Sequence, residues 1–337
     1  MKSYHLTYGG GIEGLVLREH DIPKPGPGQV LVRVRATSLN ARELMILRGD
    51  YPLPVKADVV AVSDGAGEVA DTGEGVTRVK VGDRVGASLF PLWLDGPFSF
   101  DVAPQIGGSL DGMLTEYAVL SEQGLVQIPG HLSYEEAATL PCAGVTAWHA
   151  LTGGRAPAPG DTVLTLGSGG VSLFALQYAK LYGLRVIATT SSDQKAKQLQ
   201  ALGADEVVNY RSNPDWHEAV RKLTNGRGVD YVIEVGGAGT LTNSLKSVAV
   251  QGQISWVGVL ASGEPLISLA TLRSAFANLR FVAVGSRAQF VAMNRAIEAN
   301  RLKPVIDRVF SFEEAVDAFR YYQAGHFFGK IVIKLRE

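Results

Sequence analysis

The segment that most restricts what this chain can fold into is Thr162-Val163-Leu164-Thr165-Leu166-Gly167-Ser168-Gly169-Gly170-Val171-Ser172-Leu173-Phe174-Ala175-Leu176. Its first five residues are apolar or β-branched and read as a buried strand. They run into Gly-x-Gly-Gly-x-Ser, and an apolar helical pattern follows. A strand, a glycine turn and a helix in direct succession open a βαβ unit, and βαβ units build a parallel sheet. Glycine lets the backbone turn sharply and come close to a ligand. The helix start adds free N–H groups and the positive end of its dipole. Gly167, Ser168, Gly169, Gly170 and Val171 are therefore candidates to bind a pyrophosphate. Ser172 stands where a third glycine is expected and is small enough to keep the helix near the sheet. A purely structural turn would use glycine at the same places.

The same grammar continues on the C-terminal side. Buried runs at 162–166, 185–190, 206–209, 229–235, 253–259 and 280–284 alternate with amphipathic stretches, which predicts a doubly wound sheet with helices on both faces. Beyond residue 287 a helix is expected over 289–300, a strand over 305–310, a helix starting near Phe312 and a last strand over 330–335. Ser133-Tyr134-Glu135-Glu136 has the form of a capping box and predicts a helix start at Ser133. Upstream, residues 15–128 read as short β-rich runs between turns. Val30-Leu31-Val32-Arg33-Val34-Arg35-Ala36 alternates with the period of a half-buried strand, after a proline and glycine turn at 23–28. This part reads as an antiparallel, barrel-like β domain. A chain of 337 residues exceeds one comfortable core, so two domains are expected.

Charge and cysteine usage exclude several function classes. Lys and Arg number 32 against 33 Asp and Glu, leaving no electrostatic footprint for a nucleic acid. Cys142 is the one cysteine, so neither an intrachain disulfide nor an all-cysteine zinc site can form. No apolar stretch approaches the ~20 residues of a membrane span, and the first residues lack the apolar core of a signal peptide. The expectation is a soluble cytoplasmic protein with no nucleic-acid or membrane partner.

The strand at 185–190 bears on which dinucleotide is bound. An NAD site usually places Asp or Glu at the end of this strand to hold the ribose 2′-OH. Here that place falls at Thr190, followed by Ser191, Ser192 and Lys195, which offer hydroxyls and a cation to a 2′-phosphate. An acidic group would repel that phosphate, and its absence removes the penalty. NADP(H) is the expected cofactor. Asp193 is the counter-indication, and Ser191 and Ser192 also suit a helix cap.

Taken in order, Gly82-Asp83-Arg84-Val85, Leu140-Pro141-Cys142-Ala143-Gly144-Val145-Thr146-Ala147-Trp148, the glycine loop and Gly325-His326-Phe327-Phe328-Gly329-Lys330-Ile331-Val332-Ile333 resemble the medium-chain dehydrogenase/reductase superfamily. The likeness spans the whole chain and is nearest to the zinc-independent quinone oxidoreductase-like branch. It implies a GroES-like β-barrel catalytic domain from residues 1–130 and 287–337, a Rossmann domain over 131–286, and a homodimer. Zinc-dependent relatives place metal ligands at positions matching Asn40, the Ser63-Asp64 pair and Cys142. A catalytic zinc needs three N, S or carboxylate ligands, so no metal is expected here.

The resemblance also implies site residues. Asn40, Arg42 and Tyr51 fall in the segment that faces the nicotinamide, and are the catalytic candidates to polarise an acceptor oxygen. Ala41 stands where many relatives carry a tyrosine. Thr146, Val257, Gly258, Val284 and Ser286 match positions around the nicotinamide, Gly236 runs under the cofactor, Lys195 and Tyr210 grip the adenosine phosphate, and Lys330 reaches the pyrophosphate. Each also has a plain reading, as buried strand, cleft rim or solvated edge lysine. Substrate identity would come from loops near Tyr51, 90–100 and 260–270, the second rich in aromatics. The expected activity is NADP(H)-dependent hydride transfer to a small-molecule carbonyl substrate: a quinone, enone or aldehyde. An NADP-dependent alcohol dehydrogenase and a non-catalytic NADPH-binding protein are the alternatives.

Overall fold

A computed structural model describes residues 1–258 and 267–336. The chain forms two compact units, Met1–Val145 with Gly285–Glu337, and Thr146–Val284. The first unit opens with β1 (Lys2–Leu6) and β2 (Val16–Glu19), an antiparallel pair. Next come β3 (Gln29–Ser38), α1 (Ala41–Arg48), β4 (Val59–Val60), β5 (Asp64–Thr72), β6 (Arg84–Ala87), β7 (Tyr117–Ser121) and β8 (Leu125–Gln127). β3 and β5 come so close that a Cβ on Gly67 would lie 2.2 Å from the Arg33 carbonyl oxygen, which restricts that position to glycine. The capping box at Ser133 forms as expected and starts α2 (Tyr134–Ala137). The Ser133 N–H donates to Glu136 Oε2 at 2.9 Å, and the Glu136 N–H donates to Ser133 Oγ at 3.1 Å.

The second unit runs α3 (Val145–Thr152), β9 (Thr162–Leu166), α4 (Gly170–Leu181), β10 (Arg185–Thr190), α5 (Asp193–Ala201), β11 (Glu206–Asn209), α6 (Trp216–Leu223), β12 (Val229–Glu234), α7 (Leu241–Ser247), β13 (Val248–Trp256), α8 (Leu269–Ala275) and β14 (Asn278–Phe281). Its strands pair in parallel in the order β11-β10-β9-β12-β13-β14. That is the doubly wound arrangement, in which strand order reverses beside β9 and ligands bind at the carboxyl ends there. β13 begins five residues earlier than its apolar run suggests. Val248 pairs with Val229, the register then shifts, and Gln251 takes φ 61° in the irregular stretch. The far end of that expected strand, residue 259, lies outside the described residues, as does most of the 260–270 loop. Leu164, Leu166, Ile187, Val208, Val232 and Ile254 lie in the core of this unit.

The chain then returns to the first unit through α9 (Arg287–Asn300), β15 (Ile306–Ser311), α10 (Ala315–Ala324) and β16 (Lys330–Lys334). β16 lies antiparallel to β3 and parallel to β15, completing a seven-stranded sheet β15-β16-β3-β5-β6-β8 with β7 also on β3. Both chain ends therefore build one core, in which Val32, Val34, Leu47, Phe319 and Ile331 are buried. The division differs from the expected one at both boundaries. At one boundary residues 131–145 belong to this first unit, where α2 packs on β3, β5 and β16, and at the other so do residues 285 and 286. Among the described residues no helix is long and apolar enough to cross a membrane.

Candidate active site

In the parallel-sheet unit, β9 ends at Leu166 and Gly167 turns the chain at φ 75°, a backbone state that favours glycine. A Cβ on Gly167 or Gly169 would meet no atom within 4 Å, so open space lies before the loop. Gly169 caps α4 without any side-chain bond. The first N–H groups of the helix, from Gly170 and Val171, are thus left for an anion. Ser168 is buried beside them. Ser172 does more than stay small, since its hydroxyl donates to the Leu166 carbonyl at 2.6 Å and ties helix to strand.

The ends of β10 and β11 bring the adenosine-side candidates together. Thr190 pairs with Asn209, and the Tyr210 N–H donates to the Thr190 carbonyl at 2.9 Å. Ser192 is the cap of α5, accepting the Lys195 N–H at 3.2 Å, while Ser191 and Lys195 are half-buried and Tyr210 is exposed. Asp193, the acidic counter-indication, accepts from Asn209 Nδ2 at 2.8 Å. No carboxylate occupies the end of β10.

A residue not anticipated from the sequence organises the nicotinamide-side candidates. Glu234, fully buried at the end of β12, accepts at Oε1 from the N–H groups of Gly236 (2.8 Å) and Gly237 (2.9 Å) and from the Thr240 hydroxyl (2.5 Å). Its Oε2 accepts from the Ser244 hydroxyl. Its main-chain carbonyl accepts the N–H groups of Val257 (2.8 Å) and Gly258 (3.1 Å). One residue thus fixes the turn after β12 and the first two residues beyond β13. Gly258 packs so tightly that a Cβ would lie 1.6 Å from the Val235 carbonyl oxygen. Thr146 is buried in the first turn of α3. The Val284 and Ala283 carbonyls each lie 3.1 Å from His149 Nδ1, while Arg280 reaches Nε2 at 2.6 Å. Carbonyls only accept and a guanidinium only donates, so His149 carries its hydrogen on Nδ1. Burial and Arg280 both lower its pKa.

The Ser286 hydroxyl accepts the Gln289 N–H at 3.2 Å as the cap of α9, a role the sequence reading did not give it, and keeps its own hydrogen to donate.

In the first unit, β3 runs between β5 and β16, and Ser38 pairs with Asp64 on one side and Val332 on the other. This brings the starts of β5 and β16 to the entry of α1, where Asn40 is the cap. The Asn40 N–H donates to Glu43 Oε2 at 2.8 Å. Glu43 Oε1 accepts from the Ser63 N–H (3.1 Å), the Ser63 hydroxyl (3.0 Å) and Arg42 (3.1 Å). Arg42 also donates to the Tyr51 hydroxyl at 3.3 Å and the Gly107 carbonyl at 3.2 Å. Burial opposes its charge, but Tyr51 and Glu43 outweigh it and its pKa is raised. Val62, β-branched and at φ 69°, holds the strained entry to Ser63 and Asp64.

Lys330 corrects the sequence reading. Its ammonium is buried and donates to the Leu39 carbonyl at 2.6 Å and to Asn40 Oδ1 at 2.5 Å, with Asp64 Oδ2 at 3.8 Å. It is not a solvated edge lysine in this structure. Burial raises the Asp64 pKa to about 6, although Lys330 and Asn40 pull it down. Burial, with Asp64 nearby, also pushes up the Cys142 thiol. In the 90–100 loop, Phe90 and Trp93 are buried and Phe98 packs against both at steep ring angles, with centroids 5.2 Å apart, while Phe100 is exposed.

These groups do not fit a catalytic zinc. Asn40 Oδ1 is taken by an ammonium, the Ser63 hydroxyl serves Glu43, and the thiol resists ionisation. Among the described residues no three or more His, Cys, Asp or Glu converge on one point. A dinucleotide does fit, because the uncapped start of α4 opens onto space at Gly167 and Gly169.

Two family descriptions match the chain, the alcohol dehydrogenase GroES-like domain over residues 26–130 and the zinc-binding dehydrogenase over residues 170–299. The zinc-type alcohol dehydrogenase-like protein of Schizosaccharomyces pombe is 43% identical, covering 96% of each chain. A quinone oxidoreductase of Pseudomonas aeruginosa is 36% identical over 72% of this chain and 69% of its own. Among solved structures, an NAD-dependent alcohol dehydrogenase superposes with a TM-score of 0.91 at 33% identity, covering 100% of both chains. A mycobacterial protein complexed with NADPH gives 0.83 at 27%, covering 99% of both. With its doubly wound nucleotide unit and its GroES-like unit built from both chain ends, the chain belongs to the medium-chain dehydrogenase/reductase superfamily of nicotinamide-dependent oxidoreductases.

Proposed function

We propose that this protein is an NADP(H)-dependent oxidoreductase that passes hydride to a quinone, enone or aldehyde without a catalytic zinc, working as a homodimer in the cytoplasm. The observation that carries the reading is the donor set around α1, which offers N–H and O–H groups and a fixed ammonium where a metal would need ligands. A reduced nicotinamide, when bound, supplies the hydride. The protein's task is then to bind the cofactor and to stabilise the charge that grows on the acceptor oxygen.

Tyr51 suits that second task best. It is half-buried, and its hydroxyl oxygen accepts from Arg42 Nε, which turns its own hydrogen away from the guanidinium. The fixed positive charge of Arg42 favours that hydrogen's donation to an oxygen gaining negative charge. Asn40 is held more tightly, with Oδ1 on Lys330 and Nδ2 at 3.5 Å from the Ser38 carbonyl, and shapes the wall of the cluster. The pyrophosphate belongs on the N–H groups of Gly169, Gly170 and Val171. The 2′-phosphate belongs near Ser191, Lys195 and Tyr210, where the neutral Thr190 imposes no repulsion. Gly236, Val257 and Gly258, all held by Glu234, present main chain to the nicotinamide side.

Alcohol oxidation with NADP is the same chemistry reversed, and the alcohol dehydrogenase names of the relatives favour it as the second reading. Turnover of NADPH and NADH with a quinone and a 2-alkenone, beside NADP with simple alcohols, tests both. The proposal expects faster NADPH oxidation by the quinone or enone, unaffected by a chelator. Loss of turnover on chelation, restored by zinc, would overturn it.

A further inference from the structure

Four buried charges meet at the start of α1: Glu43 and Asp64 on one side, Arg42 and Lys330 on the other, with none more than 7% exposed. Buried charges persist only when paired and hydrogen-bonded. Glu43 meets that requirement with bonds from Asn40, Ser63 and Arg42. Asp64 meets it only in part: the Ser63 hydroxyl lies 3.2 Å from its Oδ1, but its Oδ2 accepts no hydrogen bond and its compensating charge is the Lys330 ammonium 3.8 Å away. Around that ammonium stand a main-chain carbonyl (Leu39), an amide carbonyl (Asn40 Oδ1) and a carboxylate (Asp64 Oδ2). Three oxygens converging on one buried point form a cation site, and hard cations are bound by such oxygens.

We propose that Lys330 is the resident cation of this unit, its ammonium filling a buried, oxygen-lined site that takes a primary alkylammonium when the lysine side chain is removed. The inference rests on the metal-free reading above and deepens it. The place is closed to a metal because the chain supplies its own positive charge from β16, almost 300 positions away in sequence. The chemical class the emptied site accepts is a primary alkylammonium. Replacing lysine by alanine removes three methylenes and an ammonium group, which together are propylammonium.

The test is thermal unfolding of the full-length Lys330→Ala variant with propylammonium chloride against sodium chloride at equal ionic strength. At a few times its dissociation constant, propylammonium should raise the variant's Tm by about 2–4 °C above the sodium control. The wild type, and Lys330→Met with its uncharged side chain still filling the space, should show no such difference. Adding Asp64→Asn to Lys330→Ala should abolish the response, because the anion is gone. If Lys330→Ala folds poorly, the yield of refolded protein with and without propylammonium replaces Tm as the readout. Equal responses to the two salts, or an equal response in Lys330→Met, would overturn the inference, as would compensation by a proton on Asp64 with no ammonium effect. Metal analysis of the wild type separates this from the functional reading. One tight zinc per chain with chelator-sensitive turnover sinks both, whereas a zinc-free active wild type with an unresponsive Lys330→Ala sinks only the cation site.

Discussion

Asp64 has no exposed surface, and burial lifts its carboxyl to about 6, above the 3.8 of an unperturbed Asp. The folded state therefore holds this proton more tightly than the unfolded chain. Its contribution to stability is fully present below about pH 4 and is lost as pH rises to about 6. At ~1.4 kcal/mol per pKa unit, the loss is on the order of 2–3 kcal/mol. Denaturant unfolding at pH 4 and pH 7 should show that step in the wild type and not in Asp64→Asn; equal steps in the two proteins would refute the assignment. Tyr51 is tested by kinetics. Tyr51→Phe should lower kcat by about 10²-fold while NADPH affinity changes less than about twofold, the signature of a donor used in the transition state. An unchanged kcat would remove Tyr51 from the reaction. Sequence alone placed Asn40, Arg42 and Tyr51 near one another, because they fall within one short segment. It could not place Lys330, whose surroundings are set by β3 pairing with β5 on one side and β16 on the other.

At the scale of elements, strands β9 to β12 were legible because buried parallel strands are short, almost wholly apolar runs between glycine turns. The start of β13 was not, because its first residues pair through a register shift that leaves no periodic trace. Which unit holds residues 131–145 is not legible in the sequence, because a capping box announces a helix without saying which sheet the helix covers. Glu234 escaped notice for a similar reason, as an acidic residue ending an apolar strand looks like a solvated terminus. Buried, it satisfies two N–H groups and two hydroxyls at once. Glu234→Ala leaves these donors unpaired at a cost of about 1–3 kcal/mol for each buried group. NADPH affinity, followed by fluorescence titration, should fall at least about tenfold. Glu234→Gln keeps Oε1 and lets its amide donate to Ser244, so its affinity should stay within about threefold. Equal losses in both variants would mean that charge, not hydrogen-bond geometry, holds the loops. At the end of β10, Thr190→Asp should weaken NADPH at least about tenfold and NADH far less, since only NADPH brings a second negative charge there. Parallel losses for the two cofactors would place the 2′-phosphate elsewhere.

For the molecule as a whole, the parallel sheet has one edge that invites a partner. β14 ends the strand order, so one side of it is unpaired among the described residues. Phe281 is 73% exposed beside it, and Leu279, Phe276, Val250 and Leu269 are exposed in the same part of the chain. Proteins normally blunt a free sheet edge with charge or proline, and a contiguous exposed apolar patch marks an interaction surface. A two-fold axis lets one edge pair with its copy and bury both patches, in the closed symmetry most oligomers adopt. At the other edge of the sheet, β11 is buried or half-buried throughout, with the exposed Tyr210 just after it, whereas β14 is exposed at three of its four residues, so a dimer should form through β14. Light scattering coupled to size exclusion should return twice the chain mass for the wild type at about 10 μM. The double variant Leu279→Lys, Phe281→Glu should return the chain mass, because a charge at a sheet edge is among the strongest barriers to pairing. Its NADPH affinity should match the wild type's within about twofold, since the glycine loop at Gly167 follows β9, three strands inward from β14 in the sheet order. A wild type that is monomeric, or a double variant that remains dimeric, places the partner surface elsewhere.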